Sequence, residues 1–178
     1  VGRVLKLIPW LLLLLTSWVA AAQPLEWDDL LPEGFELDKQ QVFEGQDISG
    51  LSDFSPEAQR LMDRLQQVLN AAPPVPALDG QRVSLSGFMV PLQREGRQVT
   101  HFFLVPWFGS CIHTPPPPAN QMVQVVIRQD HPFNRLFGTV KVHGVLKLDY
   151  TEHRLGTSAY TLIADKIEST EFIFERRW

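Results

Sequence analysis

The sequence predicts a mainly β domain with one helix, of the α+β class. Three observations predict it. Five segments rich in β-forming residues follow one another at 82–92, 99–108, 122–128, 139–149 and 158–173. A single amphipathic stretch with helical spacing precedes them at 55–71. Two of the β segments carry a glycine inside the run, Gly87 and Gly144, where a strand can bend sharply. Five strands, two of them bent, fit a small OB-like five-stranded Greek-key barrel carrying an N-terminal arm. An open five-stranded sheet with the helix on one face meets the same pattern.

Residues 1–22 read as a signal peptide. Arg3 and Lys6 give a positive start, Leu11–Leu15 with Trp18 and Val19 give a short apolar core, and Ala20, Ala21 and Ala22 give the small residues of a cleavage site before Gln23. The apolar stretch is about 16 residues, short of the roughly 20 that span a bilayer. Its expected destination is the periplasm; uncleaved, it would tether the chain to the membrane. No cysteine follows the apolar core, so lipid attachment there is not expected.

Residues 23–54 are acidic, with irregular apolar residues (Leu25, Trp27, Leu30, Leu31, Phe35, Leu37). They read as an extended arm that lays its aromatics on the domain, because Pro32 and Gly34 break any helical pattern. Residues 55–72 form the helix. Ser55 is a good N-cap, Pro56 suits the first helical position, and Ala58, Leu61, Met62, Leu65, Val68 and Leu69 recur on one face. Pro73, Pro74 and Pro76 stop it. The β domain occupies 75–178. Arg94-Glu95-Gly96-Arg97 joins its first two strands as a hairpin. The blocks Val83–Phe88 and Val140–Val145 share a V-x-[LV]-x-G-apolar pattern, too short to establish a duplication.

Charge narrows the function. Removing Arg3 and Lys6 from the 16 basic residues leaves 14 against 20 acidic ones, a net charge of −6. Such a chain has no electrostatic footprint for nucleic acid or anionic lipid. No Gly-rich phosphate loop, HExxH or GxSxG occurs.

The unusual stretch is Pro106-Trp107-Phe108-Gly109-Ser110-Cys111-Ile112-His113-Thr114, followed by Pro115–Pro118, Ala119, Asn120 and Gln121. Cys111 is the one cysteine of the chain, so it has no disulfide partner within it, which is notable for an exported protein. Cys111 and His113 lie two apart and share a side of an extended backbone. The four prolines favour a stiff polyproline II path. Asn120 and Gln121 could return amides to the site as binding groups. Three readings stay open. A thiolate and an imidazole suit zinc or copper, with His101 and His143 as further donors, although a stable site wants three or four ligands. Alternatively, Cys111 is a nucleophile with His113 as its base, yet no third group orients the pair. The third reading is structural: Cys111 as a small buried hydrophobe in a loop presented to an envelope partner. His131 and His153 sit in polar loop contexts that suggest solvated roles, and Trp107 and Phe108 read as core.

The run 102–121, with the blocks at 78–92 and 140–146, resembles the signature of an exported bacterial family catalogued as domain-of-unknown-function family 3299. The resemblance spans roughly residues 75–165. It implies that Cys111, His113, Asn120 and Gln121 share one site. It further implies a periplasmic protein, sometimes found beside ABC-transporter components linked to metal uptake. The reading as a whole is a periplasmic metal-binding or accessory protein, zinc-related, more binder than enzyme.

Overall fold

A computed structural model describes residues 22–37, 50–52, 55–109, 116–128 and 133–170. In chain order the elements are β1 (Gln23–Leu25), a 3-10 turn (Trp27–Leu30), α1 (Pro56–Asn70), a 3-10 turn (Pro76–Leu78), β2 (Arg82–Glu95), β3 (Gln98–Val105), a 3-10 turn (Ala119–Gln121), β4 (Val123–Ile127), β5 (Thr139–His153) and β6 (Gly156–Thr170). All five strands expected from sequence are present, along with the helix. The sheet is mainly antiparallel, mixed through two parallel pairs, and carries one α-helix.

The strands close on one another. β2 runs antiparallel to β3, β3 antiparallel to β4, β4 parallel to β6, β6 antiparallel to β5, and β5 returns antiparallel to β2. Closure depends on β2 serving two partners. Its first half, Arg82–Phe88, pairs with Val145–Thr139 of β5, and its second half, from Phe88, pairs with β3. Gly87 sits where the partner changes. A Cβ there would stand 2.7 Å from the carbonyl oxygen of Val105 and 2.9 Å from Trp27 Cζ2, so only glycine lets the three segments converge. Gly144 has the same role on β5. A Cβ there would collide with the backbone of Ile163, 2.8 Å from its carbonyl carbon.

Alternation fills the ring. Val83, Leu85, Phe102, Leu104, Val125, Val142, Leu146, Tyr160 and Leu162 are buried inside it, as period-2 segments with one inward face require. The β2–β3 hairpin is apolar on its outer face as well. There Phe103 and Val105 form a second buried cluster with Met122, packed against Phe88, Val90, Leu92 and Leu155.

The first part of the arm carries a short strand and a 3-10 turn. β1 adds to β2 in parallel, Gln23 to Leu25 opposite Val83 to Leu85. The turn after it seats Leu30 at zero exposure and lets Trp27 Nε1 donate to the Ser86 carbonyl at 2.8 Å. Tyr160 locks arm to core. Its hydroxyl donates to the Leu30 carbonyl at 2.9 Å and accepts from the Val75 N–H at 2.6 Å. The helix α1 begins as its cap predicts, with Ser55 Oγ accepting from the Ala58 N–H at 3.1 Å. It rests lightly on the sheet, because Leu69 alone among its residues is fully buried.

Two boundaries differ from the sequence reading. β2 continues through Pro91 to Glu95, with register shifts around Gln93. β5 has already left β2 beyond Phe88, so among the described residues one side of Pro91 has no strand there, the setting in which a sheet tolerates proline. β3 ends at Val105, and Trp107 and Phe108, expected in the core, are 53% and 80% exposed.

Candidate functional site

The segment singled out by sequence begins at Pro106, on leaving β3, and returns at the 3-10 turn before β4. Ser110–Pro115, and with them Cys111 and His113, lie outside the described residues. What the structure gives is the ground on either side of them.

The returning foot is buried and tied down. Pro117, Ala119, Asn120, Gln121 and Met122 are all buried. Asn120 Nδ2 donates to the Pro73 carbonyl at 3.0 Å, and Gln121 Nε2 donates to the Trp27 carbonyl at 2.8 Å. These two amides therefore join the end of the proline tract to the segment after α1 and to the N-terminal arm. Each amide nitrogen thus bonds to the chain itself; the sequence expectation had the two amides as binding groups. Asn120 Oδ1 and Ser158 Oγ are buried with no hydrogen-bond partner among the described residues.

The β5–β6 hairpin clamps the same foot. Gly156 has φ +139°, and a Cβ on it would stand 2.9 Å from Met122 Sδ and 3.0 Å from Pro116 Cβ. Any side chain at 156 would crowd Met122 and Pro116 and strain the backbone at φ +139°. Beside it, the His153 ring meets Phe103 edge-on, with centroids 5.8 Å apart. His153 Nδ1 accepts from the Leu155 N–H at 3.2 Å. A neutral His153 ring then carries its proton on Nε2 and presents a donor. Sequence reasoning gave His153 a solvated role. The Gly156 turn two residues beyond His153's neighbour Arg154 was the signal that a tight hairpin holds it against the sheet.

The other candidate histidines lie elsewhere. His101 is four residues before the end of β3, about 13 Å of strand from the departing foot. Its Nδ1 lies 3.2 Å from Thr100 Oγ1. His143, on β5, has Nε2 3.4 Å from Glu168 Oε2. The Lys166 ammonium beside Glu168, first, and then His143 hold that carboxylate below its ordinary range. His101 pairs with Gln93 and Val126, and His143 with Ser84 and Lys166, so the fold puts the two histidines on separate strands of the ring. Among the described residues no group of three His, Cys, Asp or Glu side chains is placed to hold a metal ion.

The departing foot is aromatic. Phe108 stands edge to face with Phe88 at 6.0 Å between centroids, on the outer face of the hairpin. The described ground of the site thus consists of an aromatic foot just after β3 and a hydrogen-bonded foot before β4.

Known proteins with this architecture can be compared. No curated protein matches the chain. The crystal structure of a DUF3299 family protein from Pseudomonas aeruginosa PAO1 superposes with a TM-score of 0.65 at 30% identity, covering 86% of this chain and 99% of that one. A crystal structure of asparaginyl-tRNA synthetase from Pyrococcus horikoshii aligns over 53% of this chain and 20% of its own, at 18% identity and a TM-score of 0.34, a likeness too slight to bear on function. The family model described as protein of unknown function DUF3299 matches residues 27–169. With most of its length matched, and the same sheet shared with a solved member, this chain belongs to the DUF3299 family.

Proposed function

We propose that the protein is an exported accessory module that holds a transition metal, zinc first, through Cys111 and His113, and works beside a membrane transporter. One observation carries this reading. The stretch bearing a lone thiol and a neighbouring imidazole is strung between two fixed feet, one of them buried and bound to two other parts of the chain through Asn120 and Gln121. A thiolate and an imidazole are the natural donors for zinc. Two protein donors leave coordination positions open, which suits a metal that must be handed on rather than locked in. A leader of the signal-peptide type fits an envelope location.

Calorimetric titration of the reduced protein with zinc tests it. One equivalent should bind. Cys111→Ser and His113→Ala should each weaken binding by at least the 10- to 100-fold seen when mere supporting residues are lost. Absence of stoichiometric binding to the reduced protein rejects the reading.

A further inference from the structure

The β5–β6 hairpin turns through two residues. His153 pairs with Gly156 across its end, which leaves Arg154 and Leu155 as the loop. At the first position of a turn, a side chain often accepts from the backbone N–H two residues on. Asp, Asn and Ser are the usual residues there. Here the acceptor is an imidazole: His153 Nδ1 takes the Leu155 N–H at 3.2 Å. An amide keeps its acceptor across the neutral range, and an imidazole does not. A proton on Nδ1 turns that acceptor into a donor facing another donor.

The turn bears directly on the returning foot. Gly156 is buried and lies so close to Met122 and Pro116 that a Cβ would stand 2.9 Å from Met122 Sδ and 3.0 Å from Pro116 Cβ. The His153 ring also meets Phe103 of β3, which shares the second apolar cluster with Met122. One side chain thus touches both the turn and the cluster to which the foot belongs. The ionisable groups around it are few among the described residues. β3 brings His101, two residues before Phe103, and the foot brings Met122 and Pro116, which carry no charge. Within the hairpin, Glu152 and Arg154 are both exposed. Glu152 pairs with Thr157, one step out of phase with His153, so it projects from the other face. Arg154 adds a like charge.

We infer that His153 is a pH-sensitive latch on this foot. Neutral, it holds the turn closed against Pro116 and Met122. Protonated, it releases the Leu155 amide, and the packing of Gly156 on the foot slackens. The latch works without metal and does not rest on the zinc reading.

NMR of the metal-free protein, labelled at its methionine methyls, tests this between roughly pH 8 and pH 5, where histidine takes up its proton. Protection of the Leu155 amide, corrected for intrinsic exchange, should fall about 2- to 12-fold, the worth of one hydrogen bond. The Met122 methyl should move in the same titration as the His153 ring, while Met62 on α1 stays still. His153→Asn keeps an acceptor that does not titrate, so both changes should vanish. Equal protection at the two pH values overturns the latch, and so does an equal fall in His153→Asn. A fall at Leu155 with the Met122 methyl unmoved refutes the link to the foot. Should His153→Asn fail to fold, the parent decides alone: a Leu155 midpoint that departs from that of the His153 ring rejects the proposal, and a shared midpoint supports it.

Discussion

Tyr160 is the residue on which the most separate parts of the chain depend. It is at zero exposure inside the ring, and its hydroxyl satisfies the Leu30 carbonyl of the arm and the Val75 N–H of the segment after the helix. Tyr160→Phe keeps the ring packing and strands both backbone groups. Leaving such groups unpaired costs about 1–3 kcal/mol, so urea unfolding should show a loss of about 2 kcal/mol. The same residue sets an alkaline limit. Burial, the largest influence, pushes its ionisation above the ordinary 10.0, partly offset by the Val75 hydrogen bond. The unfolded chain therefore gives up this proton before the folded one does. Stability is fully present below pH 10 and declines as pH rises beyond it. A stability profile in which Tyr160→Phe shows a shallower alkaline decline than the parent would confirm the sign, and an unchanged decline would assign it to other groups.

Elements differ in how plainly the sequence announces them. The five ring strands were legible because alternation and interior glycines are physical requirements of bent, half-buried strands. Val140, Val142 and Leu146 are buried where the pattern put them, and Gly87 and Gly144 lie where the backbone of another segment leaves no room for a Cβ. β1 was not legible, since three residues including Pro24 carry no period, and only the parallel groove beside Val83–Leu85 gives them a strand's geometry. The exposure of Phe108 was hidden for the opposite reason. Its composition reads as core, while the end of β3 at Val105 is a tertiary fact. At the site, residue types were legible and roles were not. Asn120 and Gln121 stood out by motif, yet their partners, Pro73 and Trp27, are 47 and 94 residues away in sequence. The helix α1 offers a test at this scale. With Leu69 its one fully buried residue, it has little tertiary support, and helices without such support depend on their caps. Ser55→Ala should cost about 1 kcal/mol and appear as lost helical ellipticity at temperatures where the β signal is intact. A single coincident transition for both signals would show instead that helix and sheet unfold as one unit.

At the scale of the whole molecule, the site segment is where the separate parts meet. Its returning foot touches the arm through Gln121, the post-helix segment through Asn120, and the β5–β6 hairpin through Gly156. A ligand held by the segment between the feet would therefore stabilise elements from both ends of the sequence. Binding to the folded state alone raises stability by RT ln(1 + [L]/Kd), about 2.7 kcal/mol at a hundred times Kd. In a domain of this size that is worth roughly 5–10 °C in the midpoint of thermal unfolding. Zinc should therefore raise the midpoint of the reduced protein in proportion to the logarithm of its concentration, and Cys111→Ser should abolish the rise. The metal ligands must be deprotonated, so the rise should shrink as pH falls through the range in which His113 takes up its proton. A zinc effect equal in parent and Cys111→Ser would place the ion on surface carboxylates and histidines such as the His143–Glu168 pair, and would leave the Cys111 segment to a role in packing or partner contact.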